Sequence, residues 1–205
     1  MITISNDNKI EFYKFLNDEK SIPDLEKFIY SQAELEKQLG NEVYFELITL
    51  NFNDKYDKIK LPDLIKSKII EEGEFETWKL KNLLNEFLSQ PKNIDKLLVK
   101  FYNLYCGEYQ ENKPRKYEYR FLGNLGLNYI HFTDKEYSII YQGNDAKLEY
   151  LHCYDQLKVF AAEILVALDN KTIVILNDGT YEITKNLRKK LESNEIYKLK
   201  QLNGK

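Results

Sequence analysis

Thr172-Ile173-Val174-Ile175-Leu176-Asn177-Asp178-Gly179-Thr180-Tyr181-Glu182-Ile183 is the stretch that decides the fold class. Two short runs rich in β-branched residues flank Asn177–Thr180, where Asp-Gly supplies the positive φ angles of a tight hairpin turn. Immediately upstream, Ala146 to Leu168 has helical periodicity: Tyr150, Cys153, Leu157, Phe160, Ala161, Ile164 and Leu168 fall on one stripe at about 100° per residue. A hairpin directly after a long amphipathic helix makes the chain α+β rather than all-helical. Thr184 then caps a last helix through Leu191, and the final ten residues are expected to fray.

Working back, Tyr117, Tyr119 and Phe121 alternate with polar residues as a half-buried strand requires, and Tyr129–Phe132 and Tyr137–Tyr141 offer two more strands. Gly123-Asn124-Leu125-Gly126 reads as a turn between strands, because it lacks the lysine and third glycine of a phosphate-binding loop. The segment from Gly107 to Pro114 is polar and carries both a glycine and a proline, which marks it as a boundary.

Ahead of that boundary the chain reads as helices. Ser21-Ile22-Pro23-Asp24 opens one with proline near its first turn, where the missing amide costs little. Ser31 and Glu34 have capping-box spacing before a helix that Gly40 ends. Val43 to Phe52 fits two patterns: Tyr44, Leu47 and Ile48 make a helical stripe, whereas its aromatic and β-branched content suits a strand, and helix is the preferred reading. Ile59–Ile70 and Phe75–Leu88 are two more, separated at Gly73, and after Pro91 comes Ile94–Cys106, with Ile94, Leu97, Leu98, Phe101 and Tyr105 on one face. The expectation is an amino-terminal helical bundle over residues 1–110, followed over 111–205 by a small antiparallel sheet packed with a long helix, as two regions or one continuous domain.

The 205 residues include 43% hydrophobic and 31% charged side chains but only eight glycines and four prolines, a composition that folds without staples. Two cysteines 47 positions apart make neither a disulfide framework nor a zinc pattern. No signal-like segment and no run of ~18 apolar residues occurs, so a cytoplasmic protein off the membrane is expected. Formal charge is -3, unevenly spread: residues 1–76 hold 17 acids and 10 bases. From Lys185 onward bases dominate, with Arg188, Lys189, Lys190, Lys198 and Lys200. Without a reader motif this tail is a solvated face, and nucleic acid is not an expected partner.

Catalytic signatures are missing from the sequence. His152 falls on the polar side of its helix beside Glu149, Gln156 and Glu163, whereas Cys153 points about 100° away, so the two cannot act together as base and nucleophile. His131 with Asp134 supplies two ligands where zinc needs three or four. No metal and no cofactor is expected, and an acid-base pair of carboxylates assembled in space is the form an enzymatic alternative would take.

One helix breaks its own pattern. Leu80, Leu83, Leu84 and Phe87 form a stripe between about 80° and 180° from Phe75, while Trp78 falls near ~300° among polar residues. Phe75 and Trp78, bordered by Glu71, Glu72, Glu74, Glu76 and Lys79, have the anatomy of a protein-binding hot spot. The competing reading is burial against the amino-terminal helices.

Residues 12 to about 106 resemble a group of bacterial proteins of the toxin-immunity type. The likeness lies in Phe12-Tyr13-Lys14-Phe15-Leu16, Tyr30-Ser31, Glu34-Leu35-Glu36, Leu39-Gly40, Tyr44-Phe45-Glu46-Leu47-Ile48, Gly73-Glu74-Phe75-Glu76 and Trp78-Lys79. The resemblance implies a non-enzymatic cytoplasmic protein that binds and neutralises a cognate toxin, and assigns no functional residue. The alternatives are an enzyme with a carboxylate-based or nucleotide-dependent site, and a regulatory or structural scaffold.

Overall fold

The computed structural model describes residues 4–89, 92–111, 115–127 and 144–192, with backbone alone for 144–153. The strands expected at Tyr129–Phe132 and Tyr137–Tyr141 lie outside the described residues. So do His131, Asp134, Lys198, Lys200 and the side chains of Glu149, Tyr150, His152 and Cys153.

The described chain is mostly helical and carries one two-stranded antiparallel sheet. It divides into two compact units, Met1–Lys79 and Leu80–Lys205. The first holds α1 (Asn6–Leu16), α2 (Ile22–Ser31), α3 (Leu35–Leu39), α4 (Asn41–Thr49), α5 (Lys55–Lys68) and the opening turns of α6 (Glu72–Leu88). The division falls inside α6, upstream of the boundary read near 110. Leu97, Leu98 and Phe101 bury in the same cluster as Leu157, Ala161 and Ile164.

Local chemistry explains several helix ends in the first unit. Ser21 caps α2, its Oγ accepting from the Asp24 amide at 3.3 Å, and proline follows within the first turn. Asp54 caps α5 by accepting from the amides of Tyr56 (2.8 Å) and Asp57 (3.1 Å). Gly40 ends α3 at φ 77°, a conformation that costs glycine little. The capping box expected at Ser31 is not formed. Ser31 is instead the last residue of α2 and donates to the Phe28 carbonyl at 3.0 Å, so α3 starts at Leu35 without a side-chain cap. Gly73 does not separate one helix from the next either; it lies in the first turn of α6.

The second unit comprises the rest of α6, α7 (Ile94–Cys106), a 3-10 turn (Arg120–Leu122), α8 (Gly123–Gly126), α9 (Asn144–Asp169), β1 (Ile173–Ile175), β2 (Tyr181–Ile183) and α10 (Lys185–Leu191). The hairpin pairs Ile173 with Ile183 and Ile175 with Tyr181. Its turn closes through Gly179 N to Leu176 O (3.0 Å) and Leu176 N to Thr180 O (2.9 Å). Within that turn only Gly179 has positive φ, at 82°, whereas the sequence pattern implies positive φ at Asp178 as well. Asp178 instead accepts from the amide and hydroxyl of Thr180.

The strand expected over Tyr117, Tyr119 and Phe121 is a turn and a 3-10 helix. Tyr117 has φ 54°, and its amide goes to Gly179 O (3.1 Å) while that of Tyr119 goes to Leu104 O (2.9 Å). Tyr119 and Phe121 are buried as the alternation required, but the amides of Tyr117 and Tyr119 go to two different elements instead of forming a ladder. Gly123–Gly126, expected as a turn, is the short helix α8. A Cβ on Gly126 would stand 2.9 Å from Tyr102 Cα and 3.0 Å from Phe101 O, so glycine lets two backbones meet.

Candidate functional site

Phe75 and Trp78 stand one turn apart at the start of α6, and both join the hydrophobic cluster of the first unit. Phe75 is 3% exposed, which places it in the core instead of on the surface. Trp78 is partly buried. Tyr13 of α1 brings the three rings together, with centroids 5.5 Å from Phe75 and 5.6 Å from Trp78, and the Phe75 and Trp78 rings stack at 6.2 Å.

The four glutamates have separate roles. Glu74 accepts from the Tyr13 hydroxyl at 3.2 Å and pairs with Lys9. Burial, followed by the Glu74 charge, raises the Tyr13 phenol above its ordinary value, so that it stays a donor. Glu76 is 5% exposed and pairs with Lys79 at 2.5 Å, and the same ammonium lies 4.7 Å from the Phe75 ring centre. Glu72 lies in the first turn of α6, where the helix dipole favours an anion, and the Glu71 carbonyl accepts from the Phe75 amide at 3.0 Å. The acidic rim is therefore partly built into the fold: Glu71 and Glu74 are exposed, while Glu76 is enclosed.

The same unit exposes other aromatic surface that the helical patterns of the sequence do not single out. Tyr30 at the end of α2 is 58% exposed and Phe45 on α4 is 64% exposed. The Tyr30 hydroxyl donates to the Ile48 carbonyl at 3.3 Å, which ties α2 to the helix that carries Phe45. Ile48 is three positions from Phe45, so the two side chains are neighbours on the α4 surface. Leu47 is the buried residue of α4, and Phe45 lies about 200° from it on the helix, a signal the sequence contained.

A groove of about 670 Å³ is also present in the first unit, between the α1–α2 connection and α5. No helix among the described residues is long and apolar enough to cross a membrane, and none of their His, Cys, Asp and Glu side chains form a group of three that could hold a metal ion. No family model, curated protein or solved structure matches the chain.

Proposed function

We propose that this protein acts by contact with another protein, and that within this class it is a cytoplasmic bacterial immunity protein that neutralises a cognate toxin. The exposed pair Tyr30 and Phe45 carries the binding reading. Large aromatic rings left in water on rigid helices are the kind of anchor that protein interfaces bury. They stand in a unit whose residues 1–79 hold 17 acidic and 11 basic side chains, a field that attracts a basic partner and speeds its approach. Trp78, partly buried beside exposed Glu71 and Glu74, is a second anchor backed by Tyr13 and Phe75.

The toxin as partner rests on the resemblance over residues 12–106, which includes Tyr44-Phe45-Glu46-Leu47-Ile48. The test is co-expression with the product of the neighbouring gene, reading both co-purification and growth. A stable pair together with rescued growth is expected. A stable pair without protection rejects immunity while keeping contact as the mode of action, and no pair rejects that gene product as the partner.

A further inference from the structure

The groove beside α5 has a charge pattern that specifies an occupant. One bank is α5 itself, which contributes Lys58, Pro62 and Lys66, spaced four residues apart and so on one line of the helix surface. The other bank is the α1–α2 connection with Asp18 and Glu19, continued by Asp24 in the first turn of α2, and the apolar lining is Phe15, Leu16 and Ile22. Of the other α5 lysines, Lys60 pairs with Asp57 at 3.2 Å and Lys68 with Glu46 at 2.5 Å, while Lys55 lies outside the groove. Lys58 and Lys66 have no ion-pair partner among the described residues. Lys20, the remaining lysine of the lining, is held by Glu11 and by the Phe28 ring and is not available.

Pro62 adds a backbone acceptor. It lies inside α5 and has no N–H to give the Lys58 carbonyl, so that carbonyl loses its intrahelical donor at a residue lining the groove.

We infer that the groove binds an extended peptide segment of a partner protein with the pattern acidic–basic–apolar–basic–acidic. The spacing comes from two repeats that match. Four residues of helix rise about 6 Å, and two residues of extended chain rise about 6.6 Å. Side chains i, i+2 and i+4 of an extended peptide point the same way, so they align with Lys58, Pro62 and Lys66 as acid, apolar and acid. Residues i+1 and i+3 face the opposite bank, where Asp18, Glu19 and Asp24 call for cations. A peptide N–H satisfies the Lys58 carbonyl. This rests on the reading of the protein as a binding protein only in that the peptide belongs to another chain, and the groove shares no residue with the Tyr30–Phe45 face.

The experiment uses the full chain as bait for a phage-displayed library of random twelve-residue peptides. Enriched peptides are then synthesised and titrated by fluorescence anisotropy. The expected consensus is the alternating pattern, with affinity falling at least tenfold in Lys58→Glu/Lys66→Glu and unchanged in Lys37→Glu, a lysine outside the groove. Panning the double variant should enrich peptides with bases where the acids stood. That gain of binding separates charge reading from misfolding. No enrichment, a consensus without alternation, or affinity insensitive to reversal of the two lysines overturns the inference. Loss of the protein partner in Tyr30→Ala/Phe45→Ala with peptide binding intact leaves the groove standing, and the reverse result leaves the aromatic face standing.

Discussion

The Tyr154 hydroxyl donates to the Phe87 carbonyl at 2.7 Å, in a buried contact between α9 and the last turn of α6. The helical donor for that carbonyl would be the amide four residues on, and residue 91 is a proline, which has none. Tyr154 thus supplies the hydrogen bond that the sequence removes from the helix end. Tyr154→Phe should lower the unfolding free energy by about 1–3 kcal/mol, because it leaves a buried acceptor without a donor. Urea denaturation with an unchanged slope is the check, and a loss under ~0.5 kcal/mol would show that the carbonyl finds another donor.

Two glycines should respond to alanine for different reasons. Gly126→Ala pushes a methyl into the backbone of Phe101 and Tyr102, which cannot step aside as a side-chain tip can. A loss of about 1–3 kcal/mol or more is expected from such overpacking. Gly40 has φ +77° with ψ 154° and nothing within 4 Å of its imagined Cβ, so Gly40→Ala carries only backbone strain, in a region that is essentially glycine's own, of about 1–3 kcal/mol. Thermal melts read both losses, and a variant that melts with the wild type would show that its glycine is not required.

Phe75→Ala should cost about 3–5 kcal/mol, as for any fully enclosed aromatic ring. Trp78→Ala should cost less, since part of its ring is already in water, and it should weaken partner binding more than it weakens folding. Chemical denaturation beside a partner titration tests both. If Trp78→Ala unfolds the chain as thoroughly as Phe75→Ala, Trp78 is a core residue and not an anchor.

Phe45→Ala should change stability by no more than about 0.5 kcal/mol, the usual range for exposed positions, and Tyr30→Ala by about 0.5–1.5 kcal/mol, because it also removes the hydrogen bond to the Ile48 carbonyl. If Phe45 is a hot spot, its removal should weaken partner binding by about 2 kcal/mol or more. Calorimetric titration of wild type and variant against the co-purified partner reads this directly.

Acid should destabilise the first unit through Glu11. Hydrogen bonds from Lys14 (2.7 Å) and Lys20 hold its carboxyl below the ordinary value of 4.5. A carboxyl depressed in the folded state contributes stability that is fully present above its unfolded pKa, and that is lost as pH falls through the folded one. Stability should therefore be flat in this respect above about pH 5 and fall below 4.5, and Glu11→Gln should shallow that acid limb. Denaturation midpoints measured across the acid range, from neutral pH down to the onset of acid unfolding, decide it.

Elements whose signals are local were legible in the sequence. Ser21 with Pro23 placed the start of α2, the apolar period of Ile94–Cys106 gave both ends of α7, and the runs flanking Asn177–Thr180 gave the hairpin. The failures share a physical cause, which is that distant partners decided them. Tyr117, Tyr119 and Phe121 alternate like a strand, yet the amides of Tyr117 and Tyr119 go to Gly179 and Leu104. Phe75 looked out of place on a helical wheel because the wheel counts only its own helix, and Tyr13, the ring that covers it, lies 62 positions upstream. The groove was invisible for the same reason, since Lys58 and Asp18 are 40 residues apart.

The placement of Trp78, the single tryptophan of the chain, makes the two units optically distinct. It belongs to Met1–Lys79 and packs against Tyr13 and Phe75, two rings of that unit's core. Selective excitation of its indole reports on that unit's packing, whereas far-ultraviolet circular dichroism sums helices from both. Transitions that coincide by the two probes would mark one cooperative unfolding step, and transitions that separate would give each unit its own melting point without cutting the chain.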